Sequence, residues 1–365
     1  MDKLLFFVSD YKIGQSSLLT DQLVALNHSE VDVIAVSGEN EQEEGLHERT
    51  QNLGICVQYV EGLDAHANFV GLAKQIASII RQESVGYVHV QNNWQMMLVV
   101  FAKFFLLRRF NLKILYTLHA FRNNSPIKSV IARIMIGTML LLVATKVICM
   151  CTYLKNKFRF LGKKIVVLPL GIDNEYFYSE QPSLPQKGLQ MVFPAQFRKG
   201  KNQDLIIRAF ARHINTYDDQ VSHLHLPGSG EFRDEMKSLA NNLGIAERVS
   251  FPGRITKQEI LQLYLESNIG VIASSSETFG QSIVEPFVLG RCVVSTHVGV
   301  ADDILKDGVN GYFISTEEDL EYILGHLYKN PQLIAKSGEF NFEKRSMFSW
   351  QSVTERYVDI IRELL

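Results

Sequence analysis

The sequence predicts an α/β protein made of two doubly wound parallel-sheet domains. The 365 residues contain two series in which short apolar runs alternate with helix-like stretches. This is the pattern of parallel strands joined by helices. The apolar periodicity is lost over 173–187, a segment that contains two prolines. Hydrophobic residues make up 46% of the chain, which is enough for two sizeable cores. We therefore expect an N-terminal domain at 1–172, a linker at 173–187, a C-terminal domain at 188–345 and a last helix within 346–365.

Each predicted strand of the first domain is a short apolar run followed by a helix-like stretch. The runs are 4–9, 31–36, 87–90, 113–118, 147–150 and 165–168. The first run also lacks a cleavage site and is followed by polar residues, so we expect no secretory signal and a cytoplasmic protein. The four cysteines have no metal-ligand spacing and are expected to be reduced thiols.

The second domain repeats this alternation. Its predicted strands are 191–195, 224–227, 249–251, 269–273 and 292–295. Capping boxes at Thr256-x-x-Glu259 and Ser315-x-x-Glu318 predict two helix starts. Ligands bind outside the carboxyl ends of the strands in such sheets, so two facing domains are expected to form a cleft between them.

Two glutamates eight residues apart, Glu277 and Glu285, follow the apolar run 269–273. The first leaves the end of a buried strand and the second lies on the next helix, whose start at Gly280 offers free N–H groups to an anion such as phosphate. Carboxylates beside such a start can accept hydrogen bonds from sugar hydroxyls. The alternative is an ordinary solvated helix, on which this spacing is common.

At this motif the chain resembles the retaining glycosyltransferases of family four, which have the GT-B fold and a Glu-x7-Glu motif. The resemblance implies two facing Rossmann-like domains with a C-terminal helix that crosses back to the first. It also implies that Glu277 contacts the donor sugar and Glu285 the ribose. The other donor-binding residues that it implies around the motif are Thr278, Phe279, Gly280 and Ile283.

Lys201 lies just before a predicted helix and places a point charge where a diphosphate leaving group gains negative charge. The family has a lysine at this position and an arginine five residues earlier. Here the earlier position is Gln196, so Arg198 becomes the candidate second cation. An exposed basic loop is the alternative for both.

Three further candidates follow strands of the first domain. His119 ends the run 113–118, and the family has a histidine there, close to the donor sugar. Gly14 matches one glycine of the family's usual pair and is a candidate for close approach to phosphate, with a simple turn as the alternative. Asp10 is a candidate for positioning an acceptor hydroxyl, although an Asp at a turn is also common.

Gly228 and Arg254 follow two strands of the second domain. The sequence Gly228-Ser229-Gly230 is half of a dinucleotide fingerprint, but Arg233 occupies the third glycine position, which disfavours nicotinamide binding. The family has a glycine-rich turn here beside the nucleotide. Arg254 matches the region that borders the base and is otherwise an ordinary surface charge.

Charge is distributed unevenly, because residues 84–172 contain thirteen Lys or Arg and no Asp or Glu. Aromatic residues interleave with these charges, and the apolar stretch 134–144 is too short to span a bilayer. We expect peripheral attachment to anionic lipid on the inner face of the plasma membrane. A basic groove for nucleotide or nucleic acid, or solvated helix faces, are the alternatives.

Together these features favour a retaining, metal-independent glycosyltransferase. It would move a hexose from a nucleoside-diphosphate sugar, most simply a UDP-sugar, to a glycan or glycolipid acceptor in cell-surface polysaccharide or glycolipid synthesis. No Asp-x-Asp pair lies at a strand end, so no metal or cofactor is expected. The alternatives are a sugar-nucleotide epimerase of the same architecture and a non-catalytic protein that binds nucleotide sugar or lipid.

Overall fold

The computed structural model describes residues 3–8, 15–38, 54–63, 68–106, 111–119, 126–185 and 187–364. It divides into two compact units. The first unit is Met1–Gly171 together with Trp350–Leu365, and the second unit is Ile172–Ser349. The domain boundary thus lies at the beginning of the predicted linker.

The first unit contains a seven-stranded parallel sheet in the order β3-β2-β1-β4-β5-β6-β7. Its strands are β1 (Lys3–Phe7), β2 (Val33–Ser37), β3 (Cys56–Tyr59), β4 (Val85–Val90), β5 (Lys113–Leu118), β6 (Lys146–Cys149) and β7 (Ile165–Val167). Its helices before the linker are α1 (Gln15–Asn27), α2 (Phe69–Gln82), α3 (Asn93–Phe105), α4 (Pro126–Val143) and α5 (Thr152–Lys157). A short 3-10 segment, Arg159–Lys164, precedes β7.

The last helix of the chain, α13 (Trp350–Arg362), belongs to the first unit and completes its core. The Trp350 indole packs directly on Gly171, where a Cβ would lie 2.3 Å from the ring. The Tyr357 hydroxyl forms a buried hydrogen bond of 2.7 Å with Nδ1 of His89 on β4. Burial lowers the pKa of His89 to about 3, so this imidazole is neutral at physiological pH.

The second unit contains a six-stranded parallel sheet in the order β10-β9-β8-β11-β12-β13. Its strands are β8 (Gln190–Val192), β9 (His223–His225), β10 (Val249–Ser250), β11 (Ile269–Ile272), β12 (Cys292–Ser295) and β13 (Gly311–Phe313). Its helices are α6 (Gln203–Tyr217), α7 (Arg233–Asn242), α8 (Lys257–Leu265), α9 (Gln281–Val288), α10 (Ala301–Ile304), α11 (Glu317–Lys329) and α12 (Pro331–Lys344). The prediction of two doubly wound parallel-sheet domains is confirmed.

One of the two predicted capping boxes is correct and the other is displaced by one residue. Thr256 and Glu259 form the box that begins α8. At α11 the box consists of Thr316 and Asp319, not of Ser315 and Glu318. The Asp319 carboxylate accepts hydrogen bonds from the N–H groups of both Ser315 (2.8 Å) and Thr316 (2.9 Å), which fixes the helix start one residue later.

None of the helices within the described ranges is both long enough and apolar enough to cross a bilayer. Cys56 is exposed, and Cys149, Cys151 and Cys292 are buried.

Candidate functional site

The loops at the carboxyl ends of the second sheet are joined to one another by backbone hydrogen bonds. Between the loops after β8 and β9, the Phe197 N–H donates to the Ser229 carbonyl (2.9 Å). Between the loops after β9 and β10, the Gly228 N–H donates to the Gly253 carbonyl (2.7 Å). These bonds hold the candidate residues of this edge on a fixed backbone, as a binding site requires.

Gly228 is required by this arrangement of loops. Its φ is +148°, and a Cβ at this position would lie 1.9 Å from the Ala195 carbonyl oxygen. Only glycine permits such close approach of two backbones. The structure thus gives Gly228 a role in packing loop against loop, and its contact with a nucleotide stays a prediction.

The loop that carries Lys201 is attached to the loop after β11. The Ser275 N–H donates to the Gly200 carbonyl (2.8 Å), and the Asn202 side-chain amide donates to the Ala273 carbonyl (2.8 Å). Asn202 adopts a left-handed conformation with φ 52°, which turns the chain into α6. These contacts bring Lys201 beside Glu277.

The Lys201 ammonium forms an ion pair with the Glu277 carboxylate. Both side chains are largely enclosed, with 11% of the Lys201 side chain and 14% of the Glu277 side chain exposed. A charge pair in such surroundings is screened less by water than a surface pair. The structure therefore brings together two of the three residues that the sequence predicts as catalytic.

The helix that follows Glu277 begins at Gly280, which has φ 89° and a left-handed conformation. A Cβ on Gly280 would lie 2.6 Å from Cδ1 of Ile283, so the turn into α9 favours glycine. Helix starts leave backbone N–H groups without intrahelical acceptors, and the helix dipole favours an anion there. The start of α9 thus has the chemistry to hold a phosphate beside the Lys201–Glu277 pair.

Three other predicted donor-binding residues surround this helix start. Thr278 is half-buried. Phe279 and Ile283 are buried, and the Phe279 ring packs edge-on against Phe348 with centroids 6.2 Å apart. These two side chains therefore support the loop from the core side, and their contact with a donor stays a prediction.

Glu285 lies on α9, the helix that Gly280 begins. It is partly buried near Tyr264 and Tyr176. Burial raises the pKa of Glu285 to about 7, and the Asp173 charge adds to this effect. The Tyr264 hydroxyl and the Lys257 ammonium act in the opposite direction. Burial also raises the pKa of Tyr176, with a further contribution from Glu285. Glu285 is thus a carboxyl group close to its protonation midpoint at neutral pH.

Gly299, which is not among the residues predicted from the sequence, lies beside Glu277 and Phe279 in this site. Its φ is +55°, and a Cβ there would lie 2.3 Å from the Phe279 carbonyl oxygen and 3.1 Å from Cβ of Glu277. The next N–H, that of Val300, donates to the same carbonyl (2.8 Å). The available signal was a glycine shortly after the strand 292–295, at the ligand-binding edge of the sheet.

The two predicted arginines of the second unit differ in exposure. Arg198 is half-buried, and its carbonyl accepts a hydrogen bond from the Lys201 N–H (3.1 Å), so it belongs to the same turn. Arg254 is exposed and follows Gly253, whose carbonyl is bound by Gly228. Their donor contacts stay predictions.

His119 follows β5 in the first unit and is oriented by Gln91, which follows β4. Nε2 of His119 lies 2.6 Å from Oε1 of Gln91. An amide oxygen only accepts, so Nε2 carries the proton and Nδ1 is the unprotonated nitrogen. Burial lowers the pKa of His119 to about 4, which keeps the ring neutral. Asp10 and Gly14, the other candidates of this unit, lie outside the described residues.

Comparison with known families agrees with the geometry of both units. Residues 175–342 match the family described as glycosyl transferases group 1, and residues 17–176 match glycosyltransferase family 4. The chain belongs to the family-four glycosyltransferases. The predicted resemblance to family four is confirmed by matches that together span most of the chain, while the roles of the Glu-x7-Glu residues stay predictions.

Curated relatives of this family-four glycosyltransferase match over part of their length. D-inositol 3-phosphate glycosyltransferase of Streptomyces griseus is 27% identical over 186 residues, which are 48% of this chain and 39% of that protein. Mannosylfructose-phosphate synthase of Agrobacterium fabrum is 22% identical over 218 residues, 54% of this chain and 48% of that protein. The chain thus matches less than half of the length of either relative.

Solved structures match over the whole chain. HepE of Anabaena, solved in complex with UDP, has a TM-score of 0.77 at 18% identity and covers 99% of this chain and 100% of its own. A glycosyltransferase of Rickettsia africae has a TM-score of 0.77 at 18% identity and covers 99% of this chain and 98% of its own. At this identity the likeness shows the fold, which is GT-B as predicted.

A buried cluster in the family-four glycosyltransferase resembles a hydrolase triad but cannot meet a substrate. Asp219 accepts hydrogen bonds from the Ser222 hydroxyl and from Nε2 of His213 (3.0 Å). The three residues are almost completely buried, and the Ser222 oxygen also accepts from the Leu189 N–H (2.7 Å). We assign them a structural role.

Proposed function

We propose that the protein is a retaining glycosyltransferase that moves a hexose from a nucleoside-diphosphate sugar to a glycan or glycolipid acceptor. The observation that carries the proposal is the enclosed Lys201–Glu277 ion pair beside the start of α9. It combines a cation for a diphosphate with a carboxylate for sugar hydroxyls. Family membership supports the same reaction class.

In this proposal the diphosphate lies at the start of α9. The Lys201 ammonium then interacts with the phosphate as well as with the Glu277 carboxylate. The helix N–H groups and Lys201 then stabilise the negative charge that develops as the glycosidic bond breaks. Glu277 holds the sugar hydroxyls, and Glu285 accepts hydrogen bonds from the ribose. Arg198, Gly228 and Arg254 complete the donor site.

The acceptor hydroxyl attacks from the face that the diphosphate leaves, so that the anomeric configuration is retained. The departing phosphate oxygen accepts the acceptor proton, and no side-chain nucleophile takes part. Neutral His119 contacts the donor sugar, and Asp10 positions the acceptor. The reaction requires no metal, because Lys201 and the helix amides supply the positive field. Within the described ranges, no group of three or more His, Cys, Asp and Glu side chains is arranged to hold a metal ion. Metal independence stays a prediction.

We further propose that the donor is a UDP-sugar and that the acceptor is met at the inner face of the plasma membrane, in cell-surface polysaccharide or glycolipid synthesis. HepE of Anabaena has been solved with UDP and with UDP-glucose, which supports the base and makes glucose the first sugar to test. The basic block 84–172 supports an anionic surface as partner.

Incubation with a panel of labelled sugar nucleotides, first without acceptor, tests the proposal. We expect slow hydrolysis of one donor, with product of retained configuration and unchanged rate in excess chelator. Glu277→Gln serves as the matched inactive control. Interconversion of two sugar nucleotides would instead identify an epimerase, and binding of a donor without any turnover would identify a non-catalytic binding protein.

A further inference from the structure

Helix α4 of the first unit exposes large apolar side chains to solvent. Ile134 is 56% exposed, Met135 68% and Leu142 77%, and Val130 and Leu141 are also exposed. At 100° per residue, positions 130, 134 and 141 lie within about 40° of one another around the helix axis. Positions 135 and 142 lie about 80° to 100° further round, beyond the exposed Thr138. We call these five exposed apolar side chains the α4 stripe.

Core packing does not account for the α4 stripe. The packed side of the helix carries Leu140, which is 0% exposed and lies about 160° from Leu142 around the helix axis. A surface helix normally turns its apolar side chains to the core, whereas on α4 several large apolar side chains are exposed to solvent. Exposed apolar area of this kind indicates an interaction surface.

Phe160 extends the stripe from the neighbouring 3-10 segment. Its ring rests on Gly137, where a Cβ would lie 2.1 Å from Cζ of the ring, and 48% of Phe160 stays exposed. The glycine therefore lets the edge of an aromatic ring approach the helix backbone closely while part of the ring stays exposed. Aromatic rings of this kind are favoured where a protein meets the interface of a bilayer.

Basic side chains surround the stripe. Arg159 and Lys163 flank Phe160 and are exposed, and Arg133 lies on α4 itself. Lys164 donates to the Leu141 (2.6 Å) and Ala144 (2.9 Å) carbonyls at the end of α4, which fixes the basic segment beside the stripe. The whole block 84–172 contains no acidic residue. The surface thus has an apolar centre, and the charged side chains around it are all basic.

We propose that the α4 stripe and Phe160 insert into the interfacial region of an anionic bilayer, with α4 parallel to the membrane plane. The apolar side chains enter the acyl boundary and the basic rim contacts lipid headgroups. A second copy of the chain is disfavoured as the partner, because two such surfaces would bring like charges together. The inference deepens the proposed function and rests on it only for the lipid-linked acceptor, since docking itself requires no donor.

Flotation of the full-length protein with vesicles tests the inference. The vesicles are equimolar phosphatidylcholine and phosphatidylglycerol, or phosphatidylcholine alone, and the assay contains no nucleotide sugar. The triple variant Ile134→Ser, Met135→Ser, Leu142→Ser removes the centre of the stripe. A matched control changes three exposed apolar residues of the second unit, Val221→Ser, Val309→Ser and Tyr322→Ser. Leu142→Ser alone is the milder version, and thermal unfolding checks that every variant is folded.

We expect the wild type and the control to float with the anionic vesicles and the triple variant to bind about tenfold more weakly. The double variant Arg159→Ser, Lys163→Ser should also bind more weakly and should lose much of the salt dependence. Wild-type binding by the triple variant, or no flotation of the wild type, would overturn the inference. A wild-type dimer that the triple variant converts to monomer would overturn it as well, because the stripe would then contact a second copy.

Donor hydrolysis in vesicle-free solution separates this inference from the proposed function. The triple variant is expected to hydrolyse the donor as the wild type does. Flotation with no hydrolysis of any donor by the wild type would contradict the proposed function and leave docking supported.

Discussion

The Lys201 ammonium and the Glu277 carboxylate form an enclosed ion pair across 76 residues of sequence. The pair is held by loops that hydrogen-bond to each other independently of the charges, through Asn202 and Ser275. Its geometry is therefore set by the backbone. A ligand that binds the Lys201 ammonium in place of Glu277 therefore meets loops that are already ordered.

Lys201→Ala and Glu277→Gln should each lower turnover of the donor by about a hundredfold, which corresponds to about 3 kcal/mol of lost transition-state stabilisation. Single-turnover kinetics measures the effect, and Lys199→Ala, an exposed lysine of the same loop, is the control. Wild-type turnover in either variant would remove that residue from the site. Each single change leaves the other charge partly buried and unpaired. We therefore expect the double variant to lose less unfolding temperature than the two single variants lose together.

Glu285→Ala should weaken nucleotide binding more than it slows the chemical step. A ribose contact made equally in the ground state and the transition state contributes to affinity and leaves the barrier after binding unchanged. Calorimetric titration with UDP and with the donor measures the affinity, and rates at saturating donor measure the step. Unchanged affinity with a large loss of rate would contradict the ribose assignment.

Glu285 should also make the stability of the protein depend on pH. Its pKa in the folded protein is about 7, above the ordinary value of 4.5, so the folded state retains a proton that the unfolded chain releases between these values. The stability that this carboxyl contributes is thus fully present below about pH 4.5 and is lost as the pH rises through 7. Glu285→Gln should therefore unfold at a higher temperature than the wild type at pH 8, with the difference shrinking towards pH 5.

Thermal unfolding across this pH range checks the expectation, and Glu235→Gln, at an exposed position of α7, is the control for loss of a carboxylate. A difference between Glu285→Gln and the wild type that does not change with pH would contradict the raised pKa.

Gly299→Ala should disturb the donor site through the backbone alone. The added Cβ would crowd the Phe279 carbonyl and Cβ of Glu277, and the positive φ adds strain of about 1 kcal/mol. Gly308→Ala is the matched control, because Gly308 has φ +70° and nothing within 4 Å of its added Cβ. We expect both variants to lose some thermal stability and only Gly299→Ala to lose donor affinity. Equal donor affinities in the two variants would show that Gly299 does not shape the site.

The fold could be predicted from the sequence because its strands are buried on both faces. Such strands are continuous apolar runs, and the run 292–295 coincides with β12. The edge strand β3 was not predicted, because it is not buried on both faces: Cys56 and Tyr59 are exposed, and the polar Gln58 interrupts its apolar residues. A strand of this kind is defined by hydrogen bonds to β2, which sequence periodicity does not report.

The site could be predicted only in part. The Glu-x7-Glu spacing predicts Glu277 as a site residue and a local pattern predicts Lys201, and both roles stay predictions. Their pairing depends on the order of β8 and β11 in the sheet, which no local pattern encodes. The raised pKa of Glu285 comes first from burial and then from the charge of Asp173, which is distant in sequence, so no local pattern reports it.

The buried bond between Tyr357 and His89 joins two parts of one core that are far apart in the order of synthesis. Five residues of α13, including Trp350 and Tyr357, belong to the same core as the first strand, and the second unit is translated between them. Residues 1–171 are therefore synthesised before the helix that completes their core, and 178 further residues, 172–349, are synthesised in between. Cotranslational folding should favour the second unit as the first to reach its final state, with the N-terminal half depending on chaperones until the last helix arrives.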